Sequence, residues 1–128
     1  MIHLDTQIIV WLFEGENRRL SKRAAREIRD ATALTISPLV RMEIDMLIER
    51  KRIDAKSVDS MLAAIAEDFG PVAVSTARLS SIVEKALTIG WTRDPFDRLI
   101  VANAMADKTK LVTSDEKIRA NFKDAVWD

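Results

Sequence analysis

Four carboxylates in this sequence lie at positions that a purely structural role explains only in part. They are Asp5, Glu43, Asp97 and Asp115. Carboxylates that converge on one place repel each other, so ionising all of them is unfavourable unless a cation is bound. The chain has one histidine and no cysteine, so an all-oxygen site would suit Mg²⁺ or Mn²⁺ better than zinc. Chemistry of this kind fits the hydrolysis of phosphodiester bonds.

Glu43 is predicted to lie on an apolar side of a helix. Its neighbours one turn away are Leu39, Val40, Met46 and Leu47, and all are apolar. Because a buried carboxylate without a partner is costly, we expect Glu43 to meet a cation inside the protein. That cation is either a metal ion or an arginine in a buried salt bridge.

Asp97 is predicted to lie in the first turn of another helix and to face the apolar Ile100 and Val101. Asp94 is expected to cap this helix, with Pro95 at its first position. Negative charge at Asp97 also suits the helix dipole, but an acid in the first turn need not face the core. The capping pattern therefore explains Asp94 fully and Asp97 in part. Asp94 is interpreted as a helix cap in preference to a ligand, although it could also extend the metal site.

Asp5 and Asp115 each follow a predicted strand. In open α/β sheets, ligands bind beyond the carboxyl ends of the strands, so both acids are well placed for chemistry. Each also has a structural explanation, because Asp5 can cap the next helix or form a turn and Asp115 can cap a short helix. From the residues alone, Asp115 fits a cap better than a metal ligand.

Other chemistry has no comparable support in the sequence. There is no phosphate-binding P-loop, no nucleophile elbow and no dinucleotide fingerprint. The single histidine, His3, lies in a predicted strand and is expected to be packed or exposed rather than catalytic. The formal net charge is zero, which gives no support to nucleic-acid binding. Basic residues at 22–29 and 50–52 are interpreted as solvated helix surface.

Short apolar strands alternate with helices along the chain. Strands are predicted at 2–5, 34–36, 72–74 and 110–113, with a possible edge strand at 125–127. Helices are predicted at 7–13, 21–30, 37–50, 55–69, from a cap at Ser75 or Thr76 to Gly90, at 94–108, and after Asp115. This order predicts an α/β fold with a short, mostly parallel central sheet and helices on both faces. We expect residues 1–128 to form one domain, with no membrane span or signal peptide and a cytoplasmic location.

Four segments of the chain resemble one family. They are residues 2–12 around Asp5, 37–47 around Glu43, 94–104 around Asp97 and 111–118 around Asp115. In this order they resemble the PIN-domain nucleases and, within them, the VapC-type toxins of type II toxin–antitoxin pairs. Each segment alone is weak evidence for the family. The four segments in this order, which together span nearly the whole chain, are strong evidence.

The resemblance implies a PIN-like fold and a Mg²⁺-dependent endoribonuclease, with Mn²⁺ as a possible substitute. It implies that Asp5 and Asp97 are the main metal ligands and that Glu43 is a ligand or positions water. Asp115 would act through a second metal or a water, and Thr6 with Thr113 or Ser114 would support the acids. It further implies an RNA substrate, an antitoxin partner and a homodimer. Arg98 and the basic run at 50–52 are candidates for contact with the RNA.

Two positions depart from the family pattern. Gln7 stands where many relatives carry Ser or His, and Asp94 adds a fifth acid. Two other functions stay open: a catalytically silent PIN-like binding module and a nuclease that acts on DNA. An antitoxin is expected to occupy an apolar groove near the site, with residues 11–13 and 42–48 as candidate lining. Core packing is the favoured role for most of these residues.

Overall fold

The computed structural model describes all 128 residues and shows alternating strands and helices. The strands are β1 (Ile2–Leu4), β2 (Leu34–Ile36), β3 (Val72–Val74), β4 (Leu111–Val112) and β5 (Ala125–Val126). The helices are α1 (Thr6–Glu14), α2 (Lys22–Asp30), α3 (Pro38–Glu49), α4 (Val58–Phe69), α5 (Leu79–Ala86), α6 (Pro95–Ala106) and α7 (Glu116–Asn121). A short 3-10 helix, Asn17–Arg19, joins α1 to α2. No helix is both long and apolar enough to cross a bilayer.

All five strands are parallel, and their order across the sheet is β3-β2-β1-β4-β5. The predicted sheet is therefore confirmed, and it is entirely rather than mostly parallel. Every residue of β1 is buried, as expected for the central strand of a sheet with both faces covered. Because the strands are parallel, their carboxyl ends meet along one edge, and this edge carries the residues that follow each strand.

Most helices begin at the caps that the sequence predicts. The side chain of Ser21 accepts a hydrogen bond from the main chain at the start of α2, and Ser37 does the same for α3. Asp94 caps α6 and Asp115 caps α7. These caps satisfy main-chain N–H groups that a helix leaves unpaired at its start.

Two predicted helix starts are wrong. The fourth helix begins at Val58 rather than near residue 55, because Ser57 and Ser60 form a reciprocal capping box there. The fifth helix begins at Leu79 and ends at Ala86, so it is shorter at both ends than predicted. Ser75 does not cap it: its hydroxyl oxygen accepts from the main-chain N–H of Ala77, which precedes the helix, and its hydroxyl group donates a 2.7 Å hydrogen bond to Asp107.

A buried network of hydrogen bonds connects α6 to the sheet. His3 on β1 lies 2.7 Å from Oδ2 of Asp107, the same oxygen that accepts from Ser75. Asn103 on α6 donates to the Ser75 hydroxyl oxygen at 2.9 Å. His3 is fully buried, and this burial lowers its pKa even though the Asp107 carboxylate opposes the shift. His3 is thus a packed residue, one of the two roles expected for it.

Candidate metal centre

The four predicted acids line one cavity at the carboxyl edge of the sheet. This cavity has a volume of about 370 Å³, and its lining also includes Thr6, Gln7, Leu47 and Ser114. Asp5 follows β1 and Asp115 follows β4, while α3 brings Glu43 and α6 brings Asp97. Residues that are far apart in sequence therefore converge where a parallel sheet places its ligand sites.

Asp5 is held by hydrogen bonds to both of its carboxylate oxygens. Its Oδ1 accepts from the main-chain N–H of Thr6 at 2.8 Å, and its Oδ2 accepts from the Thr113 hydroxyl at 2.6 Å. Burial raises the pKa of Asp5, these two hydrogen bonds lower it in part, and the charges of Glu43 and Asp115 raise it further. Asp5 thus caps α1 and also contributes to the cavity, so the two interpretations from the sequence are compatible.

Thr113 connects two of the acids. It is fully buried directly after β4. Its hydroxyl oxygen accepts a 3.1 Å hydrogen bond from the main-chain N–H of Asp115, and its hydroxyl group donates to Oδ2 of Asp5. Asp115 in turn accepts at Oδ1 from the N–H of Ile118, 2.8 Å away, and so caps α7. One buried hydroxyl group therefore fixes both acids relative to the central strands.

Glu43 meets a hydroxyl group rather than a cation of the protein. Thr6, whose main-chain N–H binds Asp5, donates from its Oγ1 to Oε1 of Glu43. The Glu43 side chain is half-buried, and no arginine pairs with it. The alternative of a buried salt bridge to arginine is therefore wrong.

Asp97 is the one acid of the four whose carboxylate charge is not stabilised by a hydrogen bond. Its main-chain N–H lies 3.3 Å from Oδ1 of Asp94, but no group donates a hydrogen bond to its own carboxylate. Burial raises the pKa of Asp97 to about 7, and the neighbouring charge of Asp94 adds to this, followed by smaller effects of Asp5, Asp115 and Glu43. Asp94 therefore acts on the site through its charge as well as capping the helix.

The carboxylate oxygens of the cavity could supply some, but not all, of the ligands of a divalent cation. None of the four acids forms an ion pair with lysine, arginine or histidine. Arg98, which follows Asp97 in the chain, instead donates from Nε to the carbonyl of Ala86 at the end of α5. No three acidic or histidine side chains are arranged to hold a metal ion by themselves. Mg²⁺ is commonly held by one or two carboxylates together with water and substrate phosphate oxygens, and the cavity supplies such carboxylates.

The family model of the PIN domain matches residues 2–123 of this chain. The chain belongs to the PIN domain family. Ribonuclease VapC22 of Mycobacterium tuberculosis is 33% identical over 119 residues, which cover 92% of this chain and 89% of that protein. This PIN domain is therefore of the VapC type, as the four motif segments predict.

Solved structures with a similar fold include VapBC2 from Rickettsia felis bound to a DNA fragment from the promoter. It has a TM-score of 0.64 and 18% identity, and the match covers all of both chains. A toxin–antitoxin complex from Klebsiella pneumoniae gives a TM-score of 0.67 at 18% identity, over 98% of this chain and 96% of that one. VapBC-1 from nontypeable Haemophilus influenzae gives 0.63 at 22% identity, over 100% and 97%. These similarities support the PIN-like fold.

Sequence reasoning missed the full role of the hydroxyl groups in this PIN domain. It named Thr6 and Thr113 as supports, but it did not reveal that each of them contacts two acids. It also missed the network of Ser75, Asn103 and Asp107 that connects α6 to His3 on β1. One signal was present, because Asn103 is an amide among the apolar residues of α6, and a buried amide needs polar partners.

The residues proposed to line a groove for a partner divide into two groups. Leu12 and Ile44 are buried in the core, so they are not available to a partner. Met42 is 57% exposed, while Trp11 and Phe13 are half-buried and pack against the core. The surface near α1 and α3 is thus only partly apolar.

Proposed function

We propose that this PIN domain is a Mg²⁺-dependent endoribonuclease that acts as the toxin of a toxin–antitoxin pair. The observation that carries the proposal is the cavity lined by four carboxylates and by no cation of the protein. The similarity to a protein named as a ribonuclease supports RNA as the substrate. The structural neighbours, described as toxin–antitoxin complexes, support the biological role.

Each acid has a proposed role. Asp5 and Asp97 would hold Mg²⁺, for which Mn²⁺ could substitute, and Glu43 would complete the site as a ligand or by positioning water. Asp115 would act through a second metal or an ordered water. When bound, the cation supplies activation of water and neutralises charge on the phosphodiester. Thr6 and Thr113 would keep the acids in place, because rigid support of ligands is what tunes a metal site.

The protonation of Asp97 sets a requirement on pH. With a pKa of about 7, its carboxyl group is partly protonated at neutral pH when no cation is present. A cation can bind this oxygen only after the proton has left. We therefore expect cleavage of RNA to increase as the pH rises through neutrality.

The test is cleavage of RNA by the purified protein and by Asp97→Asn, which is nearly isosteric. We expect the variant to lose cleavage while its circular dichroism and oligomeric state stay those of the wild type. Asp68→Asn is a matched control, because Asp68 is an exposed acid on α4 that does not line the cavity. Cleavage by Asp97→Asn at the wild-type rate would refute this site.

Two further measurements separate the proposal from the other functions. Calorimetric titration with Mn²⁺ tests for a silent binding module, which would bind no metal at millimolar concentration. Cleavage of single-stranded RNA and DNA of the same sequence, compared under the same conditions, tests the substrate. Preferential cleavage of DNA would favour the DNA nuclease instead.

The biological role requires a partner that neutralises the enzyme. We propose a cognate antitoxin, action in the cytoplasm where cellular RNA is found, and one nuclease domain over residues 1–128. Expression of the chain alone should arrest growth, and co-expression of the antitoxin or the change Asp97→Asn should relieve the arrest. Arrest that persists with Asp97→Asn would contradict a nucleolytic cause.

We also propose a homodimer that forms through α5. Leu79, Val83 and Leu87 are 66%, 39% and 69% exposed. Leu87 directly follows α5 and keeps a helical main-chain conformation, so the spacing of four residues places all three on one side. The stripe is symmetric about Val83, so two copies can pack antiparallel with Leu79 of each facing Leu87 of the other, as a two-fold interface requires. Leu79→Ser with Leu87→Ser should give a monomer in light scattering, whereas Met42→Ser, at an exposed apolar residue on α3, should not. A monomeric wild type would refute the homodimer.

A further inference from the structure

We propose that single-stranded RNA binds along a basic corner next to the carboxylate cavity. The basic corner consists of Arg19, Lys22 and Arg26 together with the rings of Trp11 and Trp127. This inference rests on the ribonuclease function proposed above and names the surface that holds its substrate.

The first observation is a local excess of positive charge. Residues 17–30 carry six cations and two acids, although the whole chain has 20 of each sign. The remainder of the chain is therefore acidic, and the positive charge is concentrated on the 3-10 helix and α2. Such a local cluster is where a polyanion binds, because each phosphate contact releases condensed counterions.

Three of these six cations are free to contact a phosphate. Arg18 and Arg29 pair with neighbouring carboxylates, and Arg23 donates to the main-chain carbonyl of Asp128. Arg19, Lys22 and Arg26 are exposed and form no ion pair. Lys22 and Arg26 are one turn apart on the solvent side of α2.

The second observation is a pair of indole rings beside these cations. The ring centroids of Trp11 and Trp127 are 6.1 Å apart with the planes tilted by 42°. The guanidinium carbon of Arg19 lies 5.7 Å from the centroid of Trp11. Both tryptophans are half-buried, so each ring keeps some accessible surface. Proteins that bind single strands combine cations with aromatic rings on which bases stack.

The third observation is continuity with the cavity. The main-chain N–H of Thr113 donates to the carbonyl of Val126, and its hydroxyl group donates to Asp5. Trp127 follows Val126, and the Ser21 hydroxyl at the start of α2 donates to the Trp127 carbonyl. Since neighbouring strands lie about 4.8 Å apart, and β5 is two strands from β1, the basic corner begins roughly 10 Å from Asp5.

The chain offers a matched control for charge. Arg50, Lys51 and Arg52 are also three exposed cations without ion pairs, and they follow α3, whose Leu47 lines the same cavity. The single close contact of a cation with an aromatic ring in this structure is at Arg19, so the 50–52 run has no such contact. Both triple changes to Gln lower the net charge by the same amount.

The experiment measures binding of a short fluorescein-labelled single-stranded RNA of mixed sequence by anisotropy, at several salt concentrations. Asp97→Asn serves as the background, so that binding is read without cleavage. We expect Arg19→Gln/Lys22→Gln/Arg26→Gln to weaken binding about tenfold or more at low salt. The slope of log K against log salt should flatten by about 2, which is the loss of three phosphate contacts to a single strand. Arg50→Gln/Lys51→Gln/Arg52→Gln should change neither quantity appreciably.

Trp127 gives a second, independent readout. Trp127→Leu should weaken binding without changing the salt slope, because stacking releases no counterion, and Trp127→Phe should restore much of the affinity. An unchanged affinity in the 19/22/26 variant, or an equal loss in both triple variants, would overturn the proposal. If the first variant did not fold, Lys22→Gln/Arg26→Gln would carry the same test. Failure of the ribonuclease proposal would appear separately, as intact RNA after incubation with the wild-type protein.

Discussion

The metal-free protein should lose stability as the pH rises towards 7, and the Asp97 carboxyl group should contribute to this loss. Its pKa is about 7 in the folded protein and near 3.9 in an unfolded chain. At a pH between these two pKa values, the folded state binds more protons than the unfolded state. The free energy of unfolding therefore falls as the pH rises through this range. Asp97→Asn removes this titration and should therefore stabilise the metal-free protein above pH 7.

The expected size of the effect follows from the pKa and from the exposure of the side chain. A shift of about 3 pKa units corresponds to roughly 4 kcal/mol for a fully shielded group. Because Asp97 is only half-buried, solvent screening reduces this figure, and about 1–2 kcal/mol is a reasonable expectation. For a chain of this length that is roughly 4–8 °C in melting temperature.

The assay is thermal unfolding followed by circular dichroism in EDTA at pH 5 and pH 8, for wild type and Asp97→Asn. The quantity of interest is the difference between the two proteins, because both contain His3 and also Asp5, whose pKa is raised by burial as well. His3 acts in the opposite direction, since its lowered pKa makes the folded state more stable as the pH rises towards 6.5. Asp68→Asn, an exposed acid outside the cavity, should show no difference that depends on pH.

Addition of Mg²⁺ should reverse the effect at pH 8. The cation replaces the proton at the carboxylate cluster, so the wild type should gain stability with increasing Mg²⁺, as any ligand of the folded state provides. Asp97→Asn should gain less. A difference between wild type and Asp97→Asn that stays flat from pH 5 to pH 8 in EDTA would refute this reasoning.

Three other outcomes follow from the same contacts. Thr113→Val removes the hydroxyl group that binds Asp5 and should raise the pKa of Asp5 further, because that hydrogen bond favours the ionised carboxylate. In calorimetry it should also weaken Mn²⁺ binding by about 10–100-fold, whereas Thr35→Val, on the buried strand β2, should not. His3→Asn should lower stability near pH 7, but its difference from the wild type in urea unfolding should shrink as the pH falls from 6.5 to 5, because the wild type alone must then protonate a buried imidazole. EDTA should abolish RNA cleavage, and Mg²⁺ or Mn²⁺ should restore it; cleavage that survives EDTA would contradict metal dependence.

The convergence of Asp5 and Asp115 could be predicted from the sequence because it needs only local information. Each acid follows a short apolar strand, and strands separated by helices form parallel pairs whose carboxyl ends share one edge. The approximate positions of Glu43 and Asp97 followed from helical periodicity, which identifies acids on apolar faces. The family resemblance added their order and their proposed roles.

The start of α5 and the partner of Glu43 could not be predicted, because both depend on contacts between distant segments. Ser75 looks like a helix cap from its neighbours in the chain, but its hydroxyl group binds Asp107, 32 residues away, and the helix begins only at Leu79. Likewise an apolar helical face predicts a partner for Glu43 without revealing that this partner is the hydroxyl group of Thr6. Local patterns predict that a polar group needs a partner, and only the tertiary fold determines which group provides it.

The same contacts explain why Asp97 should need a bound metal ion more than the other three acids do. Asp5 and Asp115 each give one oxygen to a helix cap, and Glu43 receives the Thr6 hydroxyl, so their negative charges are partly compensated by the fold itself. The carboxylate of Asp97 accepts no hydrogen bond and faces the charges of the other acids. Capping thus holds part of the cluster in place without a cation, while only a proton or a metal ion can neutralise the charge of Asp97. A proton and a metal ion then compete for one carboxylate, which is why its replacement by an amide should alter stability and catalysis in opposite directions.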